Sequence, residues 1–284
     1  MRPAFIPVSP TLSVDASRMV SLGRSVREAY CAAEPFPYIK IDDFLPESLL
    51  EGVLADLGAL PEPESSFERS QERFKRSYAP TALPERTRNL FWLLNSRPFL
   101  TFLENMTGID GLMGDPYYLG GGIHEVRSGG HLDIHADFNY LKKLNLERRL
   151  NLLIYLNPDW RPEFGGQFEI WNTDMTARVA QFDPVFNRCV VFNTTGDSFH
   201  GNPNTVRHPE NKARYSMALY YYTATWDASK RQHTTHFKAR PGSRDASDWR
   251  VRLAETLEDV TPPFLFRLGN KVLHRSRGFL RQHT

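Results

Sequence analysis

His135 and Asp137, one position apart, carry the clearest chemistry in the chain. In an extended strand residues i and i+2 point the same way, so an imidazole and a carboxylate at this spacing converge on one metal ion. A third ligand must come from another strand. His200 is the candidate, because it follows a β-like run and precedes Gly201-Asn202-Pro203. Two histidines and one carboxylate on one face of an iron leave three positions open, the arrangement of non-haem Fe(II) sites that bind O₂. The chain also supplies a decoy of the same spacing, His131 and Asp133. Context separates the two pairs: His135 and Asp137 close a strand led in by Gly129-Gly130, and Asp137 opens the loop beyond it.

An iron site of this kind takes a dicarboxylic co-substrate, whose distal carboxylate needs a buried cation. Arginine suits that role through its planar fork. Arg214 opens the apolar run Tyr215–Thr223, with Ser216 two residues on. In the run Arg149–Leu156, alternation puts Arg149, Asn151, Leu153 and Tyr155 on one face and Leu150, Leu152, Ile154 and Leu156 on the other. The first face is expected to look into a barrel, where Asn151 and Tyr155 need polar partners. Should Arg214 not hold the carboxylate, Arg149 is the next choice. Cys189 is expected in the core, and His233 with His236 lacks a third ligand in view. Asn139, Tyr140 and Trp171 are weaker candidates for the substrate mouth.

These residues need a scaffold. From about 36 to 115 the pattern is mostly helical: Leu49, Leu50, Val53, Leu54 and Leu57 after Pro46, then Leu90, Phe91 and Leu94. A third helix is expected to open at Ser96 and end near Gly108. The charge-rich stretch Glu68–Arg76 shows no apolar stripe and reads as a solvated face or loop. From about 117 to 225 short β-like runs alternate with glycine pairs, which points to a jelly roll. Beyond 227 the chain is polar and then basic. Arg267, Lys271, Arg275, Arg277 and Arg281 face no acid there, beside a helical apolar face of Leu265, Leu268, Val272 and Leu273.

Composition narrows the classes. With 284 residues, 40% hydrophobic and 24% charged, this is an ordinary globular chain that can bury a core without disulfides. A net charge of +2 gives no reason to expect nucleic acid as a partner. Two cysteines are too few for a disulfide framework or a cysteine-only zinc site. No run approaches the roughly 18 apolar residues of a membrane span. Pro3, Pro7 and Pro10 interrupt the N-terminus, so no secretory signal is read and a cytoplasmic protein is expected.

Six segments in order, Pro35–Leu45, Gly129–Phe138, Arg148–Asn157, Glu163–Trp171, Ser198–Pro203 and Arg214–Ser216, resemble the prolyl 4-hydroxylase-like branch of the Fe(II)/2-oxoglutarate-dependent oxygenases. The resemblance runs from about residue 35 to 225. It implies that His135, Asp137 and His200 bind Fe(II), and that Arg214, assisted by Tyr155, holds the distal carboxylate of 2-oxoglutarate. Asn151 and Ser216 are expected nearby. It also implies a mainly β fold with flanking helices around a double-stranded β-helix (jelly-roll, cupin-like) core. Halogenating relatives have a small residue where this chain keeps Asp137, so hydroxylation is the expected reaction. It would consume O₂ and release succinate and CO₂, with ascorbate as a candidate reductant. The substrate is expected to be a prolyl residue in a peptide or protein, or a small metabolite.

The expected organisation is an N-terminal helical layer with lead-in strands over 1–115, a catalytic core over 116–226 and an extension over 227–284, its basic end a candidate dock for an anionic partner. The rival reading is a cupin-like module that binds a metal or small ligand without turnover. Its mark would be a missing ligand or a missing Arg, and all four positions are filled.

Overall fold

The structure is a computed structural model and describes residues 3–115, 117–142, 144–224 and 233–243. The apolar face expected at 265–273 and the basic C-terminal end lie outside the described residues.

Four α-helices precede the main strands. Helix α1 (Ala16–Cys31) opens at Asp15, whose carboxylate accepts from the Arg18 N–H at 2.7 Å. Helix α2 (Glu47–Asp56) follows Pro46 and buries Leu50 and Val53. Helix α3 (Glu85–Leu94) buries Leu90, Phe91 and Leu94. Helix α4 (Arg97–Thr107) starts after Ser96 and stops at Gly108, which takes φ 73° as a left-handed cap. The last three match the periodicity of the sequence. Helix α1 was not among the expected elements, although Met19, Leu22, Val26 and Tyr30 recur at helical spacing and pack into the core; Gly23 lets it lie close to α4. A Cβ on Gly23 would lie 2.5 Å from the Phe102 carbonyl oxygen.

The strands in chain order are β1 (Tyr38–Ile41), β2 (Ser65–Glu68), β3 (Glu72–Tyr78), β4 (Met113–Gly114), β5 (Gly122–Ala136), β6 (Tyr140–Leu141) and β7 (Leu146–Tyr155). They continue with β8 (Phe168–Trp171), β9 (Arg178–Phe182), β10 (Cys189–Asn193), β11 (His200–Asn202), β12 (Arg214–Thr223) and β13 (His236–Phe237). All pair antiparallel, in the order β1-β10-β7-β12-β5-β11-β8-β9, with β3 and β13 also joined to β5. The sheet curls into a nearly closed jelly roll. This is the mainly β, double-stranded β-helix architecture expected from the sequence.

One expectation is corrected. Residues 68–76 do not form a loop: β2 and β3 make a hairpin whose second strand extends the sheet along β5. The absence of an apolar stripe was misleading because the hairpin's Lys75 lines a pocket inside the sheet.

The sheet has a helix-facing side and an inner side. Leu150, Leu152, Ile154, Leu156, Cys189 and Val191 join the buried helix residues in one apolar cluster. Burying each such leucine contributes about 1.5–3 kcal/mol. Tyr155, Phe168, Val190 and Phe192 form a separate cluster on the inner side. No helix among the described residues is long and apolar enough to cross a membrane.

Candidate metal centre

Strict alternation would send residues three apart to opposite faces of a strand. Three irregularities in register reverse that rule around one pocket. On β5, Leu132 lies opposite Asn202 and His135 opposite His200, so three steps on β5 match two on β11. On β7, Leu150 lies opposite Tyr221 and Arg148 opposite Tyr222, which leaves Arg149 as the extra residue. On β3, Glu72 lies opposite Leu132 and Lys75 opposite Val126. There the intervening Phe74 takes φ 51°. Bulges re-aim side chains in this way and recur beside active sites. Here they turn the pairs Leu132 and His135, Arg148 and Asn151, and Glu72 and Lys75 inward.

The β5 bulge separates the true pair from the decoy. His135, Asp137 and His200 offer ligand atoms that all lie within 4.8 Å of one another, a cluster able to hold a metal ion. His135 Nε2 is 3.5 Å from Asp137 Oδ1, and His200 Nε2 is 3.4 Å from Asp137 Oδ2. Each imidazole donates its Nδ1 proton to a backbone carbonyl, His135 to Asp133 and His200 to Ser198, both at 2.8 Å. That bond fixes the tautomer and leaves both Nε2 lone pairs aimed at the centre. His131 and Asp133 fall on the other side of the bulge. His131 Nε2 bonds the Ser70 carbonyl at 3.1 Å, and no third ligand joins the pair among the described residues. His233 and His236 gather no metal-binding cluster among the described residues either.

Asp137 is held by two groups on β7. Arg148 Nη2 and Asn151 Nδ2 donate to its Oδ2 at 3.0 and 2.6 Å, and Arg148 also donates to Asn151 Oδ1. Burial alone would raise the Asp137 carboxyl. The Arg148 guanidinium is the largest influence opposing it, and the group is held well below the usual carboxylate range. Burial lowers His200, partly offset by Asp137. Asp137 and His200 are thus drawn toward their deprotonated, metal-binding states.

Arg148, not the Arg149 that strict alternation selects, turns to the inner side with Asn151. The bulge makes the exchange: Arg149 instead reaches Thr223 and Glu147 at the sheet margin. Arg148 lies between the rings of Tyr220 and Phe138, 3.6 and 4.6 Å from their centroids. Asn151 is inside as expected, but its amide serves Asp137 and Arg148 rather than a bound dicarboxylate. Replacing Arg148 with methionine should leave a buried carboxylate without its countercharge, a loss of about 3–5 kcal/mol. The expected result is a metal-free thermal midpoint lower by on the order of 10 °C, partly restored by Mn(II). Equal loss with and without metal would mean that Arg148 serves packing alone.

Gly201 lets β11 come close enough to β5. A Cβ there would sit 2.7 Å from the Asp133 carbonyl oxygen and 2.9 Å from that of Leu132, both backbone. Gly201→Ala should push His200 away from His135 and weaken Mn(II) binding at least tenfold by titration. The circular-dichroism spectrum should stay the same. An unchanged affinity would show that the strands can part without moving the ligand.

Further into the pocket, Arg214 is buried beneath the Tyr155 ring, 4.9 Å from its centroid, and donates to the Gly166 carbonyl at 2.8 Å. Burial lowers its pKa, and Tyr155 opposes that. No carboxylate among the described residues neutralises it. The Tyr155 hydroxyl is buried with no hydrogen-bond partner in good geometry, and so is the Asn202 amide nitrogen. Burial pushes Tyr155 up to about 12, so it stays a neutral donor. Ser216 lies opposite Tyr155 in register and lines the same pocket. A buried guanidinium with unpaired donors beside it is a cradle for an anion. The donor set at the mouth suits Fe(II), and this cradle suits the far carboxylate of 2-oxoglutarate.

The remaining wall is formed by Lys75, His124 and Tyr220. Lys75 Nζ meets Glu72 Oε1 at 2.8 Å. Burial works against its charge, but Glu72 and Tyr220 raise its pKa above the ordinary value. Burial, Lys75 and Arg214 push His124 down to about 3, so it is neutral. Asn139, Tyr140 and Trp171 are not brought to the pocket: Asn139 accepts from the His233 N–H, Tyr140 donates to Asn145 and Trp171 to Glu169.

Comparison with known proteins agrees with this geometry. A search of curated protein sequences returned no match. Among solved structures, a Trichoplax adhaerens prolyl hydroxylase in complex with a hypoxia-inducible-factor peptide fragment superposes with a TM-score of 0.52 at 17% identity, over 72% of this chain and 91% of that one. A prolyl 4-hydroxylase from Phytophthora capsici gives 0.51 at 17%, over 76% and 68%. HygX from Streptomyces hygroscopicus, with nickel and 2-oxoglutarate bound, gives 0.51 at 12%, over 76% and 96%. At such identities the likeness is one of fold. The sequence profile of the 2OG-Fe(II) oxygenase superfamily matches residues 121–222, which contain all three ligand candidates and Arg214. The similarity to the 2OG-Fe(II) oxygenase superfamily thus covers the β core of this chain.

Proposed function

We propose that His135, Asp137 and His200 hold Fe(II), and that Arg214 and Tyr155 grip the distal carboxylate of 2-oxoglutarate. The enzyme then hydroxylates an unactivated C–H bond, in a prolyl residue of a peptide or in a small metabolite. The observation that carries this reading is the meeting in one pocket of three convergent ligand atoms and a buried, unneutralised arginine. Bound together, iron and 2-oxoglutarate supply the oxidising power that inserts one oxygen atom of O₂ into the substrate, with release of succinate and CO₂.

The chain's own residues do the positioning. Arg214 neutralises the far carboxylate, and the Tyr155 hydroxyl donates to it as a neutral phenol. The inward-facing Ser216 hydroxyl completes that cradle. Arg148 and Asn151 hold the Asp137 carboxylate in one orientation, and the two Nδ1 bonds keep the imidazoles aimed. Phe168, Phe192 and Leu153 line the pocket with apolar surface that keeps water off the reacting centre.

The test is anaerobic addition of Fe(II) and 2-oxoglutarate, followed by O₂. The expected result is a weak visible charge-transfer band, then succinate once a substrate is present. A protein that takes up neither iron nor 2-oxoglutarate would return the chain to the binding-module reading.

A further inference from the structure

Neither the iron nor the dicarboxylate accounts for Glu72 and Lys75. Their side chains meet at 2.8 Å. Lys75 lines the pocket that holds His135, Asp137 and His200. The two face inward, three positions apart, because Phe74 between them takes φ 51°. A bulky residue rarely adopts that conformation, and strain of this kind persists at ligand sites where the surroundings enforce it. As a device for stability alone the pair is poorly chosen, since each ion gives up hydration that apolar residues of similar volume would not need. A strand bent to bring a cation into the reaction pocket, with an anion held 2.8 Å from it, is explained by a ligand that needs both.

We infer that Glu72 and Lys75 are the recognition groups for the prime substrate, and that this substrate is a free α-amino acid. Its ammonium is received by Glu72 and its carboxylate by Lys75. The inference rests on the oxygenase reading above and narrows its substrate class. A zwitterion presents the complement of this pair, one charge of each sign a few ångströms apart. An internal peptide segment presents neither charge and would desolvate both groups without return. Phe67, opposite Lys75 in register on β2, and Leu132 on β5 add apolar surface for the amino acid's side chain. The Lys75 ammonium interacts electrostatically with both Asp137 and Tyr220, so an amino acid anchored here lies beside the metal ligands.

The experiment is calorimetric titration of the full chain, loaded with Mn(II) and 2-oxoglutarate, with each of the twenty common L-amino acids. The best binder is then compared with its N-acetyl and methyl-ester forms. At least one free amino acid should bind, and blocking either end should weaken it at least tenfold. Glu72→Gln should remove the penalty for N-acetylation and Lys75→Met the penalty for esterification, each with the affinity for 2-oxoglutarate unchanged. Four results overturn the inference while leaving the oxygenase reading intact. These are no amino acid bound by a protein that still binds 2-oxoglutarate, blocked forms bound as tightly as free ones, a penalty that survives in the variants, or binding of a capped proline peptide in preference. Failure of the unaltered protein to bind Mn(II) and 2-oxoglutarate defeats the oxygenase reading itself, and the inference with it.

Discussion

Asp137→Ala is expected to abolish both metal binding and 2-oxoglutarate-dependent succinate formation, and His131→Ala to leave both within a factor of about two. The two residues belong to sequence motifs that look alike, so the contrast tests placement rather than residue type. Asp137 is the one carboxylate among the ligand candidates, and with it go both imidazole contacts at 3.5 and 3.4 Å. Its loss also leaves Arg148 buried without its anion, so part of the damage will be to stability. Asp137→Asn separates the two effects. It keeps the shape of the side chain and its volume, loses the charge, and should fold while binding Mn(II) at least 10²-fold more weakly. The readouts are bound metal per chain and succinate formed per minute. Equal loss in the Asp137 and His131 variants would mean that the wrong pair has been placed at the centre.

Arg214→Met is expected to weaken 2-oxoglutarate by about 10²- to 10³-fold, with Mn(II) affinity unchanged in its absence. Removing one partner of a buried ion pair costs about 3–5 kcal/mol, and each 1.4 kcal/mol is a factor of ten. The split between co-substrate and metal is the informative part, because a merely structural role would lower both. Tyr155→Phe should act in the same direction but less, by about tenfold or somewhat more, as befits a single hydrogen bond to a charged group. Arg149→Met serves as the control and should change neither constant. Titration of the Mn(II)-loaded protein with 2-oxoglutarate measures all three. If Arg149→Met weakened binding and Arg214→Met did not, the distal carboxylate would belong at the other end of the sheet.

Much of this site could be read in the chain itself, and the rest failed for one physical reason. The triad was visible because His135 and Asp137 sit two apart at the end of a strand. Arg214 was visible because it opens a long apolar run. The helix-facing side of β7 was visible too, since Leu150, Leu152, Ile154 and Leu156 obey strict alternation. What stayed hidden lies at the bulges. Arg148 and Arg149 are adjacent and chemically alike, and alternation counted back from Tyr155 selects the wrong one. Glu72 and Lys75 lie in a stretch without apolar residues, whose charge pattern resembles a solvated loop more than the wall of a pocket. Helix α1 was legible but unread, since Met19, Leu22, Val26 and Tyr30 recur at helical spacing and pack into the core. Register is a property of two strands, and a single strand's sequence does not contain it.

The three bulges also bear on how such a pocket changes over generations. Opposite faces of a strand differ by one residue, so an inserted or deleted codon can swap the entire inner row of a strand at once. Loss of Arg149 would be the mild case, because Arg148 and Asn151 would then stand two apart and still share the inner face. Loss of Leu150 would give the same spacing but put Arg149, in place of a leucine, on the helix-facing side. The lining of this barrel is therefore set by chain length at three positions as much as by residue identity. Descendants of the chain can acquire a different appetite by slipping a strand one place while the metal ligands stay where they are.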